Sequence, residues 1–272
     1  MIPKLNVVPF VSVDNMMKLV LSVGVERFLT ELAAYVEDDF RRWENFDKVA
    51  RVAAHSAEGV IELMPTSDGT AYAFKYVNGH PKNARDGRQT VTAFGVLADV
   101  ANGYPVLLTE MTILTALRTA ATSAVAAKHL ARRGSRTMAV IGNGAQSEFQ
   151  AIAMKALVGV DRLRLFDIDR SASEKCARNL EGFGFEVTIC SGAEEAVQGA
   201  DIVTTVTADK QCATILTDNL VGAGIHINAV GGIAPARPNF TPTSCGAQTS
   251  SWSIRPRPGS RARSSSWHAI TR

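Results

Sequence analysis

A chain of 272 residues, 46% hydrophobic and 20% charged, has the composition of an ordinary globular protein and the length for two modest domains or one large one. No apolar run reaches the roughly 18 residues a membrane-spanning helix needs. The start, Met1-Ile2-Pro3-Lys4, has neither the charged opening nor the apolar block of a signal peptide. Cys176, Cys190, Cys212 and Cys245 are scattered with no Cys-x-x-Cys pair, and histidines are few; both argue against a metal site or a disulfide framework and for a reducing cytoplasm.

In chain order, residues 13–45 carry helical patterns, with Asp14 as the expected N-cap and Val25 to Tyr35 as an amphipathic stretch. Residues 49–108 change to short strands, expected at 49–54, 59–64, 71–77, 90–97 and 105–108. Turn residues such as Ser67-Asp68-Gly69 and Asn102-Gly103 separate them. An alanine-rich helix follows from about Leu114 to Arg132. From Met138 the pattern becomes strand–helix–strand, with strands expected at 138–141, 162–166, 186–189, 201–206 and 226–230. The fold class is therefore α/β, a Rossmann-type nucleotide-binding domain following a mostly antiparallel α+β domain.

The informative stretch is Ala139-Val140-Ile141-Gly142-Asn143-Gly144-Ala145-Gln146. An apolar strand meets two glycines one residue apart, then opens into a helical pattern through Phe149, Ile152 and Leu157. Such a turn lets backbone N–H groups at a helix N-terminus approach a dinucleotide pyrophosphate. Alone the pair is a weak signal, because Ser147 replaces the third glycine of the usual fingerprint. Weight comes from Leu163-Arg164-Leu165-Phe166-Asp167, a second strand ending in an acid at the spacing of a ribose-binding carboxylate. An acid there favours NAD over its 2′-phosphorylated form. The plainer reading is an ordinary strand–turn–helix with Asp167 as a cap.

The segment from Ile233 onward departs from this pattern: it has no Asp, Glu or Lys, but six Arg, eight Ser and five Pro. Runs such as Arg255-Pro256-Arg257-Pro258 cannot build a core. One reading is a basic tail for nucleic acid or a membrane surface; the favoured one is a sequence that selection did not shape, with no nucleic-acid or membrane partner.

Glu62-Leu63-Met64-Pro65, the run Phe74 to Pro81 (Phe-Lys-Tyr-Val-Asn-Gly-His-Pro), Leu117-Arg118-Thr119-Ala120-Ala121, the run Ile141 to Ser147 and Asn228-Ala229-Val230-Gly231-Gly232 resemble the bacterial ornithine cyclodeaminases of the ornithine cyclodeaminase/mu-crystallin family. The resemblance runs from about residue 10 to Gly232. It implies conversion of L-ornithine to L-proline and ammonia, with NAD as an internal hydride relay, in a homodimer. It also implies three segments: a substrate-binding and dimerisation domain over 1–132, an incomplete NAD-binding domain over 133–232, and an aberrant tail over 233–272.

By resemblance, Arg51, Lys75 and Arg118 grip the substrate carboxylate, Glu62 orients the distal amine, and Glu62 and Lys75 are the catalytic candidates. Gly142, Gly144, Ala145 and Gln146 line the pyrophosphate, Asp167 the adenosine ribose, and Thr90, Thr207, Asn228 and Ala229 further cofactor contacts. From the residues alone each has a plain alternative. Arg51 and Lys75 could lie on a solvated strand face, Glu62 could point outward between Ile61 and Leu63, and Arg118 could be an ordinary helix-surface residue. Thr90 and Thr207 could simply fill strands, and His80 is assigned a structural part.

The family continues after the paired glycines with Asp-Cys-Pro-Gly-Lys-Thr-Glu-Leu-His, whereas this chain has Ile233 where the family's acid/base aspartate stands. Deleting one base from a permitted coding of that peptide yields Ile-Ala-Pro-Ala-Arg-Pro-Asn-Phe, matching 233–240. The expectation is a frame change that removes the aspartate and impairs activity. Competing expectations are an NAD(P)-dependent amino-acid or imine reductase and a catalytically dead NAD- or small-molecule-binding protein.

Overall fold

The computed structural model describes residues 7–207 and 222–230. The chain divides into two compact units, one of Met1–Phe28 and Glu37–Leu117, the other of Leu29–Val36 and Arg118–Arg272.

The first unit opens with β1 (Phe10–Val11) and α1 (Val13–Val23). The N-cap of α1 is Ser12, not the expected Asp14: Ser12 has extended backbone, and its hydroxyl accepts from the Asn15 N–H at 3.3 Å. Asp14 falls one residue inside the helix, where its charge complements the dipole instead. Gly24, at φ +87°, breaks the chain between α1 and α2 (Val25–Arg41). Strands β2 (Asp47–Lys48), β3 (Val52–His55), β4 (Val60–Ser67), β5 (Ala71–Gly79), β6 (Val91–Asp99) and β7 (Pro105–Glu110) follow.

They form a seven-stranded sheet in the order β1-β7-β6-β5-β4-β2, with β3 also on β4. All pairs are antiparallel except β1 with β7. Of the strand expected at 49–54, only residues 52–54 are in a strand, β3; residues 49–51 lie between β2 and β3. Lys48 faces Thr66 and Val52 faces Leu63, so residues 49–51 oppose only Met64 and Pro65. That one-residue excess is a bulge, placed where Pro65 has no N–H to offer a neighbour. Arg51 therefore lies just outside β3.

Helix α3 (Thr112–Leu130) continues into the second unit, where the described residues after it form β8 (Thr137–Ile141), α4 (Ser147–Val158), β9 (Arg162–Phe166), α5 (Arg170–Asn179), β10 (Glu186–Ile189), α6 (Ala193–Val197), β11 (Ile202–Thr205) and β12 (His226–Ala229). All pairs are parallel, in the order β10-β9-β8-β11-β12. The chain runs outward from β8 in one direction, then restarts beside it with β11. The strand order thus reverses between β8 and β11, where open α/β sheets bind ligands beyond the carboxyl ends. Ala139, Ile141, Val203 and Ile227 share one sheet face and pack on Ala196, Val197 and Ala200 around α6.

Candidate functional site

At the carboxyl end of β8, the Gly142 N–H donates to the Phe166 carbonyl at 2.8 Å, tying the loop to β9. Gly142 has φ +91°, and a Cβ there would stand 3.0 Å from both Thr207 Cγ2 and Thr207 N. Glycine is required twice over, by conformation and by room. Gly144 differs, since a Cβ on it would meet nothing within 4 Å. Its backbone faces open space, as a loop must if an anion is to approach it. Gly144 and Ala145 are exposed, and α4 begins behind them with no side-chain cap at Gln146. The first turn of α4 thus lacks an N-cap side chain over its N–H groups, an arrangement that leaves room for an anion.

Asp167 follows β9. Its Oδ2 accepts from the Asn143 N–H at 2.6 Å and its Oδ1 from the Asp169 N–H at 2.9 Å, which hold the carboxylate against the loop. Each oxygen keeps a lone pair for a sugar hydroxyl. Near the same sheet end, Gln146 Oε1, Thr205 Oγ1 and both amide atoms of Gln150 are buried with no hydrogen-bond partner among the described residues. Orphaned polar atoms beside an uncapped helix end and a glycine cradle fit a dinucleotide. Ala229 is exposed at the end of β12. The Asn228 side chain turns inward: its Nδ2 lies 3.5 Å from Thr204 Oγ1 and its Oδ1 3.1 Å from His226 Nε2. That leaves the Asn228 backbone, rather than its amide, for a ligand. Burial holds the His226 imidazole below its ordinary pKa, against the opposing hydrogen bond to Asn228.

In the first unit, β4 inverts the usual alternation. Ile61 and Leu63 are 39% and 42% exposed, whereas Glu62 between them is 6% exposed. Register places Ala53, Glu62, Val77 and Ala93 in one cross-strand row, and Met64, Lys75 and Gly95 in the next row of the same face. Glu62 and Lys75 therefore share the covered face. Arg51 Nη1 reaches Glu62 Oε1 at 3.2 Å and Oε2 at 3.4 Å, its own side chain being 56% exposed. Lys75 Nζ lies 3.5 Å from Thr115 Oγ1 on α3, and Met111 sits over Gly95, where a Cβ would be too close to its sulfur. Thr90 precedes β6, half-buried, its carbonyl accepting from the His80 N–H at 2.8 Å. Arg118 is exposed, one helical turn past Thr115 on α3 but in the second unit.

So Arg51, Glu62 and Lys75 belong to the first unit together with Thr90, while Gly142, Gly144, Ala145, Gln146, Asp167 and Thr207 gather at one sheet end of the second. Ile233 lies outside the described residues. Sequence reasoning missed Asn143 and Ser173, which bond each other at 2.7 Å, and the Asn78 carboxamide, which accepts from Thr92 N at 2.6 Å and Thr92 Oγ1 at 2.7 Å. Asn143, between the two glycines, was the one with a sequence signal. Among the described residues no group of three or more His, Cys, Asp or Glu could hold a metal ion, and no helix is long and apolar enough to cross a membrane.

The model of the ornithine cyclodeaminase/mu-crystallin family matches residues 13–243. An ornithine cyclodeaminase of Brucella suis is 76% identical over 235 residues, covering 86% of this chain and 66% of the relative. The chain thus spans just under two thirds of that protein's length. Among solved structures, a lysine cyclodeaminase, described for its recognition of L-lysine, L-ornithine and L-2,4-diaminobutyric acid, superposes with TM-score 0.77 at 29% identity. That likeness covers 82% of this chain and 67% of the other. An archaeal alanine dehydrogenase dimer with bound NAD gives 0.73 at 27% identity, with the same coverage.

Proposed function

The chain belongs to the ornithine cyclodeaminase/mu-crystallin family, and we propose that the protein it represents converts L-ornithine to L-proline and ammonia with NAD. The observation that carries this is the 76% identity to the Brucella suis ornithine cyclodeaminase, which runs through 86% of the chain.

NAD, when bound, would supply reversible hydride acceptance at the substrate α-carbon, with no net oxidation. Gly142, Gly144, Ala145 and Gln146 would hold its pyrophosphate, Asp167 the adenosine ribose, and Thr90, Thr207, Asn228 and Ala229 the remainder. Arg51, Lys75 and Arg118 supply cations for the α-carboxylate; Arg51 contacts Glu62 through Nη1, so its other nitrogens can face a carboxylate. Glu62, a carboxylate withdrawn from water on the covered sheet face, accepts from the distal amine and sets it in line for ring closure on the α-carbon. Lys75, on the same face, holds the carboxylate end while the amines exchange protons. The family's aspartate serves that exchange, and with Ile233 in its position we expect the chain as given to be impaired.

We assign a homodimer to the intact protein. Val52, Leu63, Tyr76 and Phe94 form one cross-strand row, Tyr76 stacking on Phe94 at 5.0 Å between centroids, and Val52, Leu63 and Phe94 are exposed. An exposed apolar row of this kind calls for a partner.

The test is release of proline and ammonia from L-ornithine with catalytic NAD, for this chain beside one whose frame is restored at position 233. Proline without NADH accumulation supports the reading. The likeness to an alanine dehydrogenase favours a second reading, net amino-acid redox chemistry, and stoichiometric NADH would select it.

A further inference from the structure

Helix α5 packs behind the phosphate loop, bonding it through Ser173 and bonding the first turn of α4 through Lys175 and Asn179. Ser173 Oγ donates to Asn143 Oδ1 at 2.7 Å, and the N–H of Asn143 in turn holds Asp167. Ser147, wholly buried where a third glycine was expected, has its Oγ 2.7 Å from the Gly144 carbonyl and 2.9 Å from Glu148 Oε2. Its single proton can serve one of them at a time.

Glu148 is the anomaly. It stands in the first turn of α4, the turn whose N–H groups would face the diphosphate. A carboxylate there suits a bare helix, but beside a bound anion it competes for the same positive field. In this structure it is drawn away onto α5: its Oε1 accepts from Lys175 Nζ and from Asn179 Nδ2, each at 2.8 Å. Burial pushes the Glu148 carboxyl up, yet the bonds from Lys175 and Asn179, with a smaller one from its own backbone N–H, outweigh it and hold the group below its ordinary value. Glu148 is a charged group, and Lys175 is the cation that cancels it.

We propose that Lys175 is a positioning residue for the cofactor: by neutralising Glu148 and holding it on α5, it keeps the N-terminus of α4 positive toward a diphosphate. The proposal rests on the reading of NAD at this loop. Lys175 acts through the Glu148 carboxylate that its Nζ bonds at 2.8 Å. Without it, a carboxylate charge stands within one helical turn of the phosphates. At a partly solvated site that repulsion corresponds to a rise of about fivefold to twentyfold in the NAD dissociation constant.

The experiment is calorimetric titration of the frame-restored chain, the parent here, with NAD at low salt. Lys175→Met should raise the dissociation constant by that factor, and high salt should shrink the penalty. Lys175→Arg should bind within about twofold of the parent, since it keeps the charge. The double variant Glu148→Gln/Lys175→Met should recover parental affinity, which a merely structural loss would not. If the parent chain does not bind NAD, the cofactor reading itself fails. If the parent binds and Lys175→Met binds equally well, or the double variant stays weak, the charge proposal is overturned while the cofactor reading stands.

Discussion

The two glycines of the loop separate two demands that are usually fused. Gly142→Ala forces a side chain into φ +91° and sets its Cβ 3.0 Å from the Thr207 backbone nitrogen. The conformation costs about 1–2 kcal/mol, and the crowding against Thr207 costs about as much again. The second unit should lose about 2–4 kcal/mol, read as a shift of the urea midpoint at unchanged slope. Gly144→Ala meets no atom within 4 Å and does not lie at positive φ. Its stability should stay within about 0.5 kcal/mol of the parent. NAD binding should nonetheless fall by about tenfold to a hundredfold, as the methyl stands between backbone N–H groups and the phosphate they would bond. Calorimetric titration with NAD beside urea unfolding of both variants reads the two effects. Parental NAD affinity in Gly144→Ala, or equal destabilisation by both substitutions, would refute the assignment of the loop.

Further outcomes follow from the same geometry. Arg51→Met should lower stability by about 1–3 kcal/mol: the guanidinium is more than half exposed, but its loss takes the cation from a carboxylate buried on the sheet face. Glu62→Gln in a frame-restored chain should cut ornithine turnover by about a hundredfold or more, and turnover at parental rate removes Glu62 from the mechanism. His226, held below its ordinary value of 6.5 by burial, is neutral in the fold while the unfolded chain binds a proton more readily. Its contribution is complete above about 6.5 and lost as pH falls through the lower folded value, so urea midpoints should drop on acidification, and His226→Gln should flatten that slope. Burial, reinforced by the nearby Glu148 charge, pushes the Cys176 thiol up to about 11, against an opposing hydrogen bond from Ser147. Peptide mapping after iodoacetamide near pH 8 should find Cys176 unmodified until the chain is unfolded; rapid labelling in the fold would contradict its burial.

The second unit was legible because short strand-like runs are separated by turn signals: the inner strands β8 and β11 are buried on nearly every residue, while β9 and β10 alternate, and those at 162–166 and 186–189 have the bounds the sequence predicts. The first unit was less so. An alternating strand announces its two faces but not which is covered, so the inward turn of Glu62 between two exposed aliphatics needed the sheet partners to decide it. The split at residues 49–51 depends on Pro65, a residue on another strand. Ser12 against Asp14 at the start of α1 is a choice between two good caps, settled by which backbone is extended. Lys175 and Asn179, which manage the charge at α4, were invisible because Glu148 reaches them across 27 and 31 residues of sequence.

The placement of β8 at the centre of its sheet has a consequence for how the chain assembles. One neighbour, β9, pairs Arg162 with Thr137; the other, β11, is fastened by Asp201, whose Oδ2 accepts from the N–H of Arg136 and of Thr137 across 65 and 64 residues. Closing the longer loop costs only about 0.8 kcal/mol more than closing the shorter in the ideal-chain limit, but it must wait for the intervening strands and helices to be made. During vectorial synthesis, β8, α4, β9 and α5 can dock as a nucleus before β11 has left the ribosome. The bonds of Gly142 to Phe166 and of Asn143 to Asp167 belong to that early half, whereas Thr207, the wall against Gly142, arrives with the late one. The anion cradle is thus assembled in two instalments, its hydrogen bonds first and its steric wall last.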